Sequence, residues 1–150
     1  MGSRLARTAL PCVLLWALGS PAGAADWQVR RASPAPLLDA AIGALWQRPD
    51  DAALARRAVQ LAGHRGAAAL RQRLRAHADA AGDYSGYEAY AQVLAAMGDP
   101  GAAAAAYEQA LHQRPDAAAA LAGRARALAA SGDPAAAAAY DQALAREQRP

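Results

Sequence analysis

The chain has 150 residues, 55% of them hydrophobic but only 5% aromatic; Phe is absent and about a third of the residues are Ala. Alanine is the strongest helix former and a poor strand former, so the composition selects helices and works against a sheet. The mean hydropathy is −0.08, and no apolar run approaches the roughly 20 residues that cross a bilayer, which excludes a multispan membrane protein. Every basic side chain other than His is Arg, and Lys and Asn are missing, a bias attributable to GC-rich coding.

Residues 1–24 carry the three regions of a secretory signal: Arg4 and Arg7, the apolar stretch Ala9 to Leu18, and Ala22-Gly23-Ala24 ahead of Ala25. The charged end resists translocation, the apolar stretch inserts and the small residues fit the peptidase, so cleavage is predicted after Ala24 and export to the periplasm is expected. An uncleaved anchor would need a longer apolar core. Cys12, the sole cysteine, would leave with the leader, and the remainder would have neither a disulfide nor a thiol nucleophile. Two of the 16 Arg would leave as well, so the formal charge falls from +3 to +1, with 14 Arg against 13 acids. So small an excess, in an exported chain, argues against a nucleic-acid partner.

Residues 25–35, with Trp27, two Arg and Pro34, read as an extended arm. Beyond them turn signals fall at Pro49-Asp50, Gly63 to Gly66, Gly82-Asp83, Gly98-Asp99-Pro100, Pro115-Asp116 and Gly132-Asp133-Pro134. Between these signals the chain predicts seven helices, at about 36–47, 50–62, 67–81, 84–97, 101–113, 117–130 and 134–147. The segments also repeat. Gly98-Asp99-Pro100 recurs 34 residues later as Gly132-Asp133-Pro134, and Tyr107-Glu108-Gln109-Ala110-Leu111 recurs as Tyr140-Asp141-Gln142-Ala143-Leu144, one residue short of that period. Ala44-Leu45-Trp46-Gln47-Arg48-Pro49-Asp50 recurs 66 residues on, at Ala110 to Asp116, close to two periods. One helical hairpin is being repeated.

At these residues the chain resembles the tetratricopeptide repeat family, whose unit is a 34-residue helix-turn-helix. The repeat at 84–117 matches best, with Tyr87, Ala91 and Leu94 on its first helix, Gly98-Asp99 in the turn, Ala103, Tyr107 and Ala110 on its second, and Pro115 at the exit. The repeat at 118–150 matches with Leu121, Ala125, Leu128, Ala137, Tyr140 and Ala143, although Arg124 replaces an apolar residue; the repeat at 52–83 is degenerate. The resemblance implies an all-α fold over 36–150: a right-handed solenoid of antiparallel helix hairpins, about three repeats preceded by one helix. Ala91, Ala103, Ala110, Ala125 and Ala137 would be positions of close helix approach, and Tyr107 and Tyr140 would fill the wider gaps.

No catalytic constellation emerges. His64, His77 and His112 fall in different segments without a Cys or a second His at ligand spacing, so neither metal nor cofactor is expected. Ser33, Ser85 and Ser131 lack a nucleophile-elbow context, and Asp50-Asp51 opens a helix, where capping explains it. Charge, in contrast, is segregated: residues 52–78 hold six Arg and no acid, whereas 79–150 hold nine acids against five Arg. Arg57, Arg71, Arg73 and Arg75 therefore form a candidate patch for an anionic partner such as lipid headgroups or an acidic polysaccharide. The competing reading is a solvated face built of Arg because the coding bias leaves no Lys. In the resembled family the first helix of each repeat lines a concave groove that binds peptides or partner helices. Carried over by register, that lining would be Arg56, Gln60 and His64, then Glu88 and Gln92, then Arg126, with Ala95, Ala96, Ala122, Ala129 and Ala130 as smooth surface. The expectation is a non-catalytic interaction scaffold of the cell envelope, membrane-peripheral at most. The alternative is the periplasmic front of a polysaccharide synthesis or export system that meets anionic polymer through the Arg-rich segment.

Overall fold

A computed structural model describes residues 34–148. The expected leader, and the expected arm as far as residue 33, lie outside the described residues. Six α-helices follow in order: α1 (Pro34–Gln47), α2 (Ala52–Ala81), α3 (Tyr84–Ala96), α4 (Pro100–Gln113), α5 (Ala118–Ser131) and α6 (Ala136–Glu147). No strand occurs among the described residues, and the fold is all-α. α1 opens at Pro34, two residues ahead of the expected boundary. Pro needs no hydrogen-bond acceptor in a first turn, and its fixed φ is already helical there.

The Gly-Asp turns work because each residue closes one helix or opens the next. Gly98 (φ 79°) and Gly132 (φ 71°) adopt the left-handed conformation that only glycine reaches without strain. The following amides then turn back, Asp99 N–H to the Leu94 carbonyl at 3.1 Å and Asp133 N–H to the Leu128 carbonyl at 2.9 Å. The Asp side chains cap the helices that come next: Asp83 accepts from Gly86 N–H, Asp99 from Ala102 N–H and Asp51 from Ala53 and Leu54 N–H. Asp133 accepts from Ala135 N–H at 2.8 Å, which holds Pro134 and Ala135 in the turn and starts α6 at Ala136, later than the expected 134.

Two expected helices join in α2. The predicted turn from Gly63 to Gly66 reduces to one non-helical residue, Gly63 (φ 60°, ψ −178°), with helix on both sides. A single left-handed glycine suffices to redirect the chain, so Gly66 stays helical.

Each helix packs against the next in the chain, and the remaining helix contacts are α1 with α3 and α3 with α5. α3 is thus central. Ile42, Leu45, Leu74, Val93, Leu94 and Tyr107 are the largest apolar side chains fully buried between helices. Alanine fills the rest: Ala91, Ala103, Ala110 and Ala125 are fully buried, as close backbone approach requires. Tyr107 needs more than an alanine opposite it. Its ring lies on Gly123, where an added Cβ would come within 2.4 Å of the Tyr107 Cζ.

The last repeat departs from the expectation. Tyr140 is 40% exposed and Ala137 is exposed, because α6 turns Ala139 and Ala143 inward and no described helix lies beyond its other face. At the opposite end, the Trp46 ring stacks on His77 with centroids 3.9 Å apart.

Candidate functional site

The face of α3 that carries Tyr84, Glu88 and Gln92 follows from their four-residue spacing, one helical turn each. Asp83 fixes where that helix begins. Glu88 is fully buried. It accepts hydrogen bonds from the Tyr84 hydroxyl and from Gln92 Nε2, both at 3.3 Å. Gln92 Nε2 also donates to the Asp50 carbonyl at 3.4 Å, tying α3 to the loop before α2. Burial pushes the Glu88 carboxyl up to about 7, against the stabilising pull of Gln92 and Tyr84, with Asp50 adding to the rise and Arg126 opposing it. Burial likewise raises Tyr84 to about 12, helped by the charge of Glu88. The Arg114 guanidinium covers the Tyr84 ring, 4.4 Å from its centroid, so the cluster is sealed on that side by a cation–π contact.

Beside this cluster lies a cleft of about 400 Å³. Ala52 and Arg56 of α2 form one side, Gln92, Ala95 and Ala96 of α3 the middle, and Gly123, Arg126 and Ala130 of α5 the other side; Tyr107 also lines it. Of the residues expected to line a groove, Arg56, Gln92 and Arg126 meet here. Glu88 does not line it: the expectation is corrected, because Tyr84 and Gln92 hold the carboxylate inside the packing. Gln60 and His64 are exposed but outside the cleft, since α2 reaches it only with its first turns. Periodicity places Tyr84, Glu88 and Gln92 on one side of α3, but the bond from Gln92 to the Asp50 carbonyl, which ties them to the loop before α2, is a tertiary fact. The Tyr-x₃-Glu-x₃-Gln spacing is the sequence signal that could have revealed the unit.

The Arg-rich segment is less cationic than its sequence. Arg71 pairs with Asp99 at 2.9 Å, Arg75 with Asp79 at 3.6 Å and Arg73 with Asp39. Nor is it one surface. A helix turns about 100° per residue, so Arg71 and Arg75 share a side while Arg73 points to another; Arg71 and Arg75 border a hollow with Tyr87 and Tyr90, whereas Arg73 faces α1. Arg57 is exposed and in no ion pair among the described residues. Among the described residues no three His, Cys, Asp or Glu come together as a metal site, and no helix is long and apolar enough to cross a membrane.

Comparison with known proteins finds no matching family model, no matching curated protein and no matching solved structure.

Proposed function

We propose that the chain is a non-catalytic interaction scaffold, built as a right-handed tetratricopeptide-type solenoid and exported to the cell envelope, that holds a peptide segment or partner helix in the cleft. One observation carries this reading: Gln92 and Arg126 stand 34 residues apart in the sequence, as do Ala96 and Ala130, and all four line one cleft. A repeat of that period that presents equivalent positions to one concave surface is an arrangement suited to an extended ligand. The ion pair between Arg73 and Asp39, also 34 residues apart, adds the same register on the neighbouring helices.

The test is site-specific photocrosslinking in the native envelope. A photoreactive residue at Ala96 or Ala130 is expected to give one discrete protein adduct that disappears with Ala95→Trp, which fills the cleft. The same residue at exposed Ala80 on α2 should give none. Adducts of equal yield from Ala80, or none from either cleft position, would overturn the proposal.

A further inference from the structure

The cleft is selective in charge as well as shape, a selectivity that rests on the cleft being the proposed binding surface. Among the described residues its only charged lining residues are Arg56 and Arg126, and neither is in an ion pair there. Six arginines outside the cleft, Arg48, Arg71, Arg73, Arg75, Arg124 and Arg146, each meet a carboxylate, whereas Arg57, Arg65 and Arg114, like the cleft pair, do not among the described residues. Arg126 donates Nε to the Ala122 carbonyl of its own helix at 3.2 Å, and this bond leaves the two terminal nitrogens for a ligand. Between the two arginines the surface is alanine, at Ala95, Ala96, Ala127 and Ala130. That floor has room for a backbone and small side chains. Gln92, at its middle, spends its amide nitrogen on Glu88 and Asp50, so its carbonyl oxygen remains to accept a peptide N–H.

We infer that the cleft takes an extended acidic peptide segment, whose carboxylates engage Arg56 and Arg126 while small residues rest on the alanine floor, and that buried Glu88 tunes the grip from beneath. Charge complementarity selects this occupant, because two uncompensated guanidinium groups in an apolar cleft attract carboxylates and repel basic segments. Glu88 acts in opposition. It is faced by Tyr84 and Gln92 on α3, Asp50 before α2, Arg126 on α5 and Tyr107 on α4. When Glu88 is neutral the cleft presents two positive charges to the ligand; when it ionises, a negative charge under Arg126 cancels part of that attraction. Since burial holds the carboxyl up at about 7, acidic peptide binds more tightly as the pH falls from 8 to 6. The ligand's own exposed carboxylates titrate near 4 and stay ionised over that range.

Fluorescence anisotropy of the full chain with labelled dodecapeptides of alternating Ala-Glu, Ala-Gln and Ala-Arg tests this, with polygalacturonate as competitor and helical circular dichroism as the check on folding. The Ala-Glu peptide should bind best and weaken with salt, and Arg56→Gln or Arg126→Gln should each cost about tenfold, whereas Arg57→Gln, outside the cleft, costs nothing. Its affinity should rise about fivefold from pH 8 to pH 6, and Glu88→Gln should make it flat with pH. If Ala-Gln or Ala-Arg binds as tightly and Ala95→Trp blocks it, the acidic specificity is overturned while the peptide cleft stands. If no peptide binds in a way that Ala95→Trp blocks, both fall. If polygalacturonate binds through Arg56 and Arg126 and Ala-Glu does not, a polymer replaces the peptide and the inference is wrong. A pH dependence that persists in Glu88→Gln would mean that Glu88 does not tune the grip.

Discussion

Glu88 is a carboxyl in a place that favours its neutral form, so it links stability to pH. In the unfolded chain its carboxyl titrates at the ordinary value of 4.5, and in the fold at about 7. Below pH 4.5 the group is neutral in both states and costs nothing. Between 4.5 and 7 the unfolded chain releases the proton and the folded one keeps it, so stability falls as the pH rises, by about 3 kcal/mol in all, and then levels off. Glu88→Gln should therefore match the parent near pH 4.5 and exceed it by about 3 kcal/mol at pH 8; urea midpoints at the two pH values measure this, and an equal shift at both would refute it. Gly123 is the other decisive residue. Gly123→Ala puts a methyl within 2.4 Å of the Tyr107 ring, at a ring carbon rather than a flexible end, and should destabilise by about 2 kcal/mol. Gly43→Ala, in the helical interior of α1 with nothing within 4 Å, should instead stabilise by about 0.5 to 1 kcal/mol. The two thermal melts should move in opposite directions.

At the level of the elements, the helix borders were legible wherever a residue type had a single conformational use. Gly98-Asp99 declares a left-handed stop and a side-chain start, and Gly132 declares a left-handed stop, whereas Asp133 bonds within the turn and α6 starts two residues later than expected. The break in α2 falls inside the expected turn, at Gly63, but is one residue rather than four, because Gly63 and Gly66 are equally permissive in sequence and one positive-φ glycine is enough to redirect the chain. Burial was less legible than borders. The carboxylate of Glu88 is bonded by Tyr84 and Gln92 of its own helix, which spacing foretells, but its full burial depends on the packing of other helices around α3, which no one-helix periodicity contains. Arg71, Arg73 and Arg75 read as one cluster in sequence, yet their alternation divides them between two sides of a helix, and Asp99 and Asp39 from distant positions and Asp79 one turn on meet them. Like α6 behind Ala135, α5 starts without a side-chain cap: it follows Ala117, which sits in extended conformation. Ala117→Ser supplies an acceptor for the free amides of the first turn and should stabilise by about 1 kcal/mol. A fall in melting temperature would mean that the half-buried Ala117 methyl matters more than the cap.

For the whole molecule, the chain-order packing sets how stability is distributed. Among the described residues α3 touches α1, α2, α4 and α5, whereas α6 touches α5 alone and buries two alanines, Ala139 and Ala143. Tyr140 and Leu144 on its other face remain 40% and 53% exposed and contribute little. An array of nearest neighbours opens from its least supported end, since losing α6 costs one interface while losing α3 costs four. Native-state hydrogen exchange should therefore find the α6 amides protected at least tenfold less than those of α3 and α4, a gap of about 1.4 kcal/mol in opening free energy. The same gradient keeps the cleft out of the weak end. Its walls are α2, α3 and α5, and its floor rests on Tyr107 seated over Gly123, so opening α6 leaves Arg56, Gln92 and Arg126 in place. Uniform protection from α2 through α6 would mean that the helices open as one cooperative unit and that support from neighbours does not order them.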